Sequence, residues 1–442
     1  MNDALNHFID MNRQNILDDL SAIVAVPSVS SDLSKVSEAL DKVLDLGRRM
    51  GFSAERLLDG QIGIVEIGEG NETVGILTHV DVVPAGDRDQ WHTDPFQAVV
   101  RDGRIYGRGT LDDKGMIVAS LYAMKAVKEQ DIPLKKKIRL IIGTQEETSW
   151  TDMEKYTRSY PLPDYGFTPD GEYPICNIEK GGADIMMEFD ISDEVSGLHL
   201  VSIDCGQAAN AVPAKASAVL SDGSEIVAYG RAVHSCQPEK GENALFALAE
   251  KLETMDLVPN KLLLLLRKMT AAFKDIYGRS VGLYSSSEYY CGEYVHRNVF
   301  SMTIFRAEGS QCLVNINGRT AYDTSGDEVL DRFRQFAQAA GGTIKDCNIL
   351  PAVFVSKEKP FLQALASAYE DITGQKNEFT LAYGGSYAKA MPNIVSWGPI
   401  FIGEEDTCHQ PDEYISCKSL MDNAKIFAQA LFNLAISEKS FK

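Results

Sequence analysis

The sequence lacks the features of a secreted, membrane-spanning or disulfide-bonded protein. The segment Met1–His7 has no basic region followed by an apolar run, so we expect no signal peptide. The longest apolar stretch, around Leu262–Leu266, is far shorter than the roughly 20 residues that cross a bilayer. None of the eight cysteines belongs to a Cys-x-x-Cys pair, which favours free thiols in a reducing compartment. These absences predict a cytoplasmic protein.

Positive charge is also scarce. The chain has 43 Lys+Arg against 63 Asp+Glu, and 43 − 63 gives a net charge of −20. Such a field repels the phosphates of nucleic acids and of acidic membrane surfaces, so we expect neither as a partner. The hydrophobic share of 44% is ordinary for a globular protein, and 442 residues suggest about three domains, or two with one interrupted.

Buried strands alternate with helices in the first and last parts of the chain. Val74–Thr78 and Ile138–Thr144 are short apolar runs bounded by turn formers, which is typical of buried strands. Met116–Lys128 has apolar residues at helical spacing, and Leu362–Ile372 is a second such helix, which Gly374 should end. The alternation predicts an α/β fold.

The middle of the chain follows a different pattern. Val299–Arg306 and Gln311–Arg319 predict a hairpin, and further strands and a few helices surround it, which favours an α+β unit. We therefore predict an α/β domain over residues 1–183 and 357–442, interrupted by an α+β domain over residues 184–356.

Five polar clusters contain residues that bind metals or move protons. The clusters are Thr78-His79-Val80-Asp81, Gly107-Arg108-Gly109-Thr110-Leu111-Asp112-Asp113-Lys114-Gly115, Gln145-Glu146-Glu147, Thr168-Pro169-Asp170-Gly171 and His409-Gln410-Pro411-Asp412-Glu413. Each alone has a purely structural interpretation, as a helix cap or a solvated turn. Because the strands before the first and third clusters are buried, however, their carboxyl ends should meet at the sheet edge where ligands bind. Histidines and paired carboxylates there suit metal ligation and proton transfer.

Two other chemistries fit the sequence less well. It contains no Gly-x-Ser-x-Gly elbow and no cysteine in a recognised catalytic signature, which disfavours a covalent nucleophile. The glycine-rich loop at Gly107–Gly115 lacks the Walker spacing, and its two adjacent acids would repel a phosphate.

The ordered series of clusters resembles the zinc aminoacylase/carboxypeptidase superfamily, and within it the PepV-type bacterial dipeptidases. The likeness runs from His79 to Tyr414 and includes Trp91-His92-Thr93-Asp94-Pro95-Phe96. It implies a di-metal exopeptidase-like catalytic domain, with a mixed sheet flanked by helices, and an α+β lid. It also implies metal-dependent hydrolysis of dipeptides or short peptides that have a free C-terminal carboxylate.

The resemblance assigns roles to the clustered residues. Two divalent ions, zinc or manganese, would be bound, one by His79, Asp112 and Asp170 and the other by Asp112, Glu147 and His409. Asp112 would bridge the ions, and a cis peptide would follow it at Asp112–Asp113. Glu146 would be the general base for a metal-bridged hydroxide, and Asp81 would orient His79. Because every one of these positions has a competent residue, a binding protein without activity is disfavoured.

The resemblance also assigns substrate contacts to the lid and the last part of the chain. His234 would reach over the active site as an oxyanion donor, and Asn210 would touch the substrate. Arg319 would bind the substrate carboxylate together with the loop Gly384-Gly385-Ser386. Lys389 stands where the pattern has an arginine.

The substrate class and the oligomeric state remain open at this point. A deacylase of N-acyl amino acids, such as N-succinyl amino acids, would use the same site. A dipeptidase also needs an acceptor for the substrate ammonium, for which Asp152 and Asp164 are candidates. The lid has an added segment around Val258–Arg297, as in the PepV-type enzymes that act as monomers, so we expect a monomer.

Overall fold

The computed structural model describes residues 2–442, and its chain divides into two units. The first unit comprises the described residues up to Ile178 together with Val355–Thr380 and Ser386–Lys442. The second comprises Glu179–Phe354 and Leu381–Gly385. The α/β class is confirmed, whereas the domain boundaries at 183/184 and 356/357 stay a prediction.

The two units are built from helices and strands of very different lengths. The helices are α1 Asn2–Met11, α2 Arg13–Val24, α3 Leu33–Arg49, α4 Lys114–Lys128, α5 Thr151–Ser159, α6 Ala244–Glu253, α7 Lys261–Phe273, α8 Gly326–Ala339, α9 Pro360–Thr373 and α10 Cys417–Ala435. The strands are β1 Ser53–Leu57, β2 Ile62–Ile67, β3 Thr73–His79, β4 Val99–Arg101, β5 Arg104–Tyr106, β6 Lys137–Gly143, β7 Tyr165–Thr168, β8 Ile175–Glu179, β9 Gly181–Asp190, β10 Leu200–Cys205, β11 Lys215–Leu220, β12 Glu225–Tyr229, β13 Tyr289–Tyr290, β14 Glu293–Tyr294, β15 Val299–Glu308, β16 Gln311–Thr320, β17 Gly342–Leu350, β18 Val353–Phe354, β19 Phe379–Ala382, β20 Ile394–Ser396 and β21 Tyr414–Ser416.

A mixed sheet forms the centre of the first unit, with the strand order β1-β2-β6-β3-β7-β20-β8. Strand β3 is parallel to β6 and to β7, whereas β2 is antiparallel to β6. The inner strands are buried, as the apolar runs in β3 and β6 predict for parallel strands covered on both faces. The predicted mixed sheet is thus confirmed.

Helices α4 and α10 pack against each other in the first unit. Nearly every residue of α4 is buried, and most of α10 is buried as well. Helix α4 begins directly after Asp113, so its first turn lies at the end of the glycine-rich loop. Because α4 packs against α10 and the sheet, this first turn has a fixed position.

A small three-stranded sheet with the order β21-β5-β4 joins the late segment to the glycine-rich loop. Its register pairs Tyr414 with Tyr106 and Ser416 with Arg104. The residues just before β21 therefore lie beside those just after β5.

The second unit is built on a seven-stranded sheet with the order β12-β11-β10-β15-β16-β9-β17. The predicted hairpin is confirmed as β15 and β16, which pair from Val299↔Arg319 to Glu308↔Gln311. Buried and half-buried residues alternate along β9, so one face of the sheet covers a core that α6, α7 and α8 complete. In the part of the chain that the structure describes, no helix has the length and apolar character needed to cross a membrane.

Candidate di-metal site

Polar side chains lie at the carboxyl ends of three parallel strands of the first unit, at one edge of the sheet. His79 is the last residue of β3 and lies in register with Gly143, the last residue of β6. Glu146 and Glu147 follow β6, and Asp170 follows β7. Because the carboxyl ends of neighbouring parallel strands face the same way, these side chains converge, as the sequence predicts for His79 and the Glu146–Glu147 pair.

Asp112 lies between the two histidines of the site. Its Oδ1 atom is 3.0 Å from His79 Nε2, and its Oδ2 atom is 3.0 Å from His409 Nε2. A carboxylate that turns one oxygen towards each histidine has the arrangement of a ligand that bridges two ions. The predicted cis peptide between Asp112 and Asp113 is confirmed.

The other carboxylates lie around the two histidines, and Glu147 offers an oxygen to both, since it also groups with His79 and Asp112. His409 Nε2 lies 3.1 Å from both Oε1 and Oε2 of Glu147. Near His79, Glu146 and Asp170 each offer an oxygen, and the three ligand atoms lie within 4.8 Å of one another. The structure therefore brings together all five predicted ligands and places Glu146 beside one of the two sets.

The residues fit a pair of cations on two grounds. First, His79 Nε2 and Asp112 Oδ1 are buried and adjacent, yet neither has a hydrogen-bond partner among the described residues. Two ligand atoms that are each about 2 Å from one ion lie about 3 Å apart, so this spacing suits ligation. Second, His409 and the buried carboxylates, with nitrogen and oxygen donors, match ions such as zinc and manganese.

The carboxylates also concentrate negative charge in a buried place. Burial raises the pKa of Glu146 well above its usual range, and the nearby Asp170 carboxylate adds to the effect. Burial likewise raises the pKa of Glu147. Hydrogen bonds to Asp112 and Glu147 raise the pKa of His409 to about 10. Bound cations would neutralise this excess charge.

Asp81 contacts both His79 and the turn that follows β6. Its backbone oxygen lies 2.9 Å from His79 Nδ1, whereas its carboxylate Oδ1 lies 3.5 Å from that atom. A carbonyl only accepts, so Nδ1 carries the hydrogen and Nε2 presents its lone pair. The carboxylate instead accepts the N–H groups of Glu146 (3.2 Å) and Glu147 (3.3 Å) and the hydroxyl of Ser30 (2.8 Å). The Asp81 side chain therefore holds the turn that carries two site residues.

In the second unit, His234 and Asn210 lie close together. Ala211 forms a β-bridge with His234, and the N–H of Ser235 donates to the Asn210 carbonyl at 2.9 Å. The Cys236 N–H donates to His234 Nδ1 at 3.1 Å, so Nδ1 is the acceptor and the ring hydrogen is on Nε2. Burial, and then the charge of Arg319, lower the pKa of His234. Both effects favour a neutral imidazole that donates through Nε2.

Arg319 binds the loop that contains the predicted glycines. Its Nε atom donates to the Tyr383 carbonyl at 2.8 Å, and its Nη1 atom donates to Asn317 Oδ1 at 3.0 Å. Gly384 and Gly385 follow Tyr383 directly.

The other loop residues are buried in the first unit. The Ser386 hydroxyl is buried and accepts the Ala388 N–H at the start of a short 3₁₀ turn. Lys389, in the same turn, is also buried.

The two candidates for binding the substrate amine are wrong. Asp152 is fully buried, and its Oδ2 atom accepts the Thr144 N–H at 2.7 Å and the Tyr387 hydroxyl at 2.8 Å. Asp164 lies before β7, at the opposite end of that strand from Asp170, and accepts the Thr73 N–H at 2.8 Å. Both carboxylates stabilise the fold instead.

Tyr387 is a site residue that the sequence alone does not reveal. Besides its bond to Asp152, its buried ring meets the ring of His79 edge-on, with centroids 6.2 Å apart. Its place directly after Ser386, in the predicted glycine-rich loop, is the one signal in the sequence that could have indicated it.

Comparison with known families identifies the chain. The family model of Peptidase family M20/M25/M40 matches residues 75–433, a range that contains every residue of the two ligand sets. The chain belongs to this family. It is therefore a metal-dependent hydrolase that acts on peptide bonds, and the resemblance seen in the sequence is confirmed.

Relatives of known sequence cover at least 90% of this M20/M25/M40 member. Two of them carry the name "Putative dipeptidase". YtjP of Bacillus subtilis (strain 168) is 33% identical, with 90% of this chain and 91% of the relative covered. SSP1012 of Staphylococcus saprophyticus is 32% identical, with 96% and 97% covered.

Solved structures of low sequence identity share the fold. The aminoacylhistidine dipeptidase from Vibrio alginolyticus has a TM-score of 0.68 at 16% identity and covers 96% of this chain and 97% of its own. The Bacillus subtilis YXEP protein, described as a dinuclear metal binding peptidase from the M20 family, has a TM-score of 0.57 at 11% identity, with 96% and 99% covered.

Proposed function

We propose that this M20/M25/M40 member is a dipeptidase that hydrolyses dipeptides or short peptides with a free C-terminal carboxylate. The observation that carries the proposal is Asp112, with one oxygen 3.0 Å from His79 and the other 3.0 Å from His409, and with Glu146 beside the first set. The names of YtjP and SSP1012 support the choice of dipeptides.

Two divalent ions, zinc or manganese, would complete the site. His79, Asp112 and Asp170 would hold one ion, and Asp112, Glu147 and His409 the other. When bound, such ions polarise a carbonyl and lower the pKa of bound water towards neutrality. Histidine and carboxylate ligands accept either metal, so availability and geometry decide which one is bound.

Glu146 is the proposed general base. Its carboxylate is half-buried next to Asp170 and His79, and its backbone N–H donates to Asp81. It would accept the proton of the attacking water and then give that proton to the leaving amine. Burial, which raises the pKa of this carboxyl, favours the protonated form that the second step needs, while nearby cations would favour the ionised form that the first step needs.

His234 is the proposed oxyanion donor. The Cys236 N–H occupies Nδ1, so the Nε2–H group is left to donate to the oxygen that becomes negative when the peptide carbonyl is attacked. The lowered pKa of His234 keeps the ring neutral, with its single hydrogen already in place.

Arg319, Gly384 and Gly385 are proposed to bind the C-terminal carboxylate. Among the described residues, the Nε and Nη1 groups of Arg319 have partners, which leaves Nη2 for a ligand. A Cβ atom placed on Gly384 would meet no atom within 4 Å, so the backbone there is open to close approach. Asn210, beside His234, is proposed as a further substrate contact.

The proposal is tested with metal-free protein to which zinc or manganese is added back. Product release is measured from dipeptides with a free amine and from matched N-acyl amino acids. We expect cleavage of the dipeptides. Cleavage of the N-acyl compounds alone would assign the site to a deacylase, and no cleavage with either metal would refute both functions.

We further propose that the protein acts in the cytoplasm as a monomer. The eight cysteines, which are all free thiols, support a reducing compartment, and the enlarged second unit supports the monomer. Sedimentation equilibrium should give a mass near 48.6 kDa, and twice that value would contradict the monomer.

A further inference from the structure

Glu413 is a fully buried carboxylate whose two oxygens are both taken up by the glycine-rich loop. Its Oε1 atom accepts the N–H groups of Gly109 (3.0 Å), Leu111 (3.0 Å) and Asp112 (3.1 Å). Its Oε2 atom accepts from Arg108 Nη1 at 2.6 Å. Four donors from five consecutive residues therefore converge on one side chain, and one of those residues is the proposed bridging ligand.

The loop is shaped to receive an anion. Gly109 has a φ of +88°, and a Cβ atom there would come within 3.0 Å of the Val82 and Lys114 side chains. Glycine at this position lets the N–H groups of Gly109, Leu111 and Asp112 point to a common centre, as backbone amides do in anion-binding nests. Here the anion is a side chain of the same protein.

The same residue is tied to the second histidine. Glu413 lies four residues after His409 and directly before β21, whose pairing with β5 brings it to the loop. The Glu413 carbonyl also accepts the Gly107 N–H at 2.9 Å. Glu413 thus holds the main chain of Asp112 on one side and anchors the segment of His409 on the other.

The energetic cost of this arrangement indicates a specific role. Both Arg108 and Glu413 are buried, and a buried ion pair is weak evidence for stability because each charge loses its hydration. Arg108 is held in turn by the Pro84 carbonyl at 3.3 Å and lies 5.4 Å from the ring of Trp91. What this costly pair fixes in space is the position of Asp112 relative to His409.

We propose that Glu413 is a positioning residue that sets the affinity of the ion site formed by Asp112, Glu147 and His409. It acts through the Asp112 main chain and the His409 segment, without contact to the ion. The inference rests on the proposed function, since it assumes that two ions bind. Mutation of groups that orient metal ligands lowers metal affinity by about 10–100-fold.

The test is calorimetric titration of metal-free protein with zinc chloride, for the wild type and for Glu413→Gln. The variant keeps the size of the side chain but removes its charge and turns an amide N–H₂ towards the donors of the loop. We expect the ion held by Asp112, Glu147 and His409 to bind about 10–100-fold more weakly. The other ion shares only Asp112 with that site, so its affinity should fall by less. Activity should return towards the wild-type kcat at high zinc concentration.

Two further variants make the result interpretable. Glu405→Gln is the matched control, because Glu405 is an exposed acid of the same segment whose carboxylate accepts the Tyr414 hydroxyl. Glu413→Asp keeps the charge but has a shorter side chain, so we expect a smaller loss of zinc affinity at the same ion site. If Glu413→Gln does not fold, Glu413→Asp replaces it in the titration.

The outcomes separate this inference from the proposed function. Equal weakening of both ions in Glu413→Gln and Glu413→Asp would overturn the positioning role, as would a lower melting temperature with unchanged affinities. Wild-type protein that binds fewer than two zinc ions would overturn the di-metal function itself, and this inference with it.

Discussion

Asp81→Asn separates two roles for the residue next to the first histidine. The backbone carbonyl of Asp81 orients His79, whereas its carboxylate accepts the N–H groups of Glu146 and Glu147 and the Ser30 hydroxyl. Asparagine keeps the backbone and the size of the side chain, but it replaces one accepting oxygen by a donor. The change should therefore leave His79 in place and disturb the turn after β6.

The magnitude follows from the lost acceptor. A buried donor left without a partner costs about 1–3 kcal/mol. The asparagine N–H₂ would face at least one of the three donors, which are the N–H groups of Glu146 and Glu147 and the Ser30 hydroxyl. We expect the free energy of unfolding of the metal-free protein to fall by about that amount. Displacing a catalytic group by about 1 Å costs about 10²-fold in rate, so a similar fall in kcat is expected from the moved Glu146.

Denaturant titration measures the first effect, and steady-state kinetics at saturating zinc measures the second. Ser30→Ala is the control, because it removes one donor to the carboxylate and leaves the Glu146–Glu147 turn bonded. If the kcat of Asp81→Asn is low only at subsaturating zinc, the carboxylate acts on metal binding through His79 and the reasoning is wrong. An unchanged kcat would refute it as well.

Four other predictions concern proton transfer, oxyanion binding, carboxylate binding and stability. Glu146→Gln should still bind two ions in calorimetry but lose about 10²–10⁴-fold in kcat, and substantial remaining turnover would contradict its role as base. His234→Ala should lose about 10²–10³-fold in kcat, and an effect confined to KM would argue against an oxyanion donor. Gly384→Ala should fold normally and raise KM for dipeptides roughly 10-fold at constant kcat, whereas a fall in kcat alone would place the carboxylate elsewhere. Burial lowers the pKa of Lys180 to about 7 in the fold, against about 10.4 in the unfolded chain. The unfolded state therefore binds more protons than the fold between about pH 7 and pH 10. Across that window the free energy of unfolding should rise with pH more steeply in the wild type than in Lys180→Met. Equal pH slopes of the two proteins in urea titrations would refute the pKa shift.

The parts of the fold that the sequence predicts are those with a clear hydrophobic period. Strands β3 and β6 and helix α4 appear within about two residues of the predicted bounds, because each is a short apolar run or an amphipathic stretch next to turn formers. Helix α10 was not predicted. Its partly exposed side has helical spacing, with Lys418, Asp422, Lys425 and Asn433. However, polar Ser419, Asn423 and Gln429 are buried among its apolar residues and obscure that period.

Part of the site was predictable for a related reason. His79 and the Glu146–Glu147 pair lie at the ends of buried strands, so their meeting follows from strand direction. The ligand roles of Asp112, Asp170 and His409 were instead implied by the family resemblance. The residues that bind the substrate could not be predicted from the position of strands and helices in this way. Asp152 was a reasonable candidate for an amine acceptor until the structure showed its carboxylate bonded to Thr144 and Tyr387.

What the sequence could not reveal is which carboxylates hold the main chain of the site. Asp81 accepts from amides 65 and 66 residues away, and Glu413 accepts from amides 301 to 304 residues away. Every residue except proline has a backbone N–H, so the donor side of such a bond has no residue type that marks it in a sequence. From the sequence, a carboxylate beside a metal motif is therefore interpreted first as a ligand or a base. A buried carboxylate can have a third role, in which it accepts hydrogen bonds from a loop whose N–H groups would otherwise be unpaired. In this chain that third role falls to Asp81 for the turn of Glu146 and to Glu413 for the loop of Asp112.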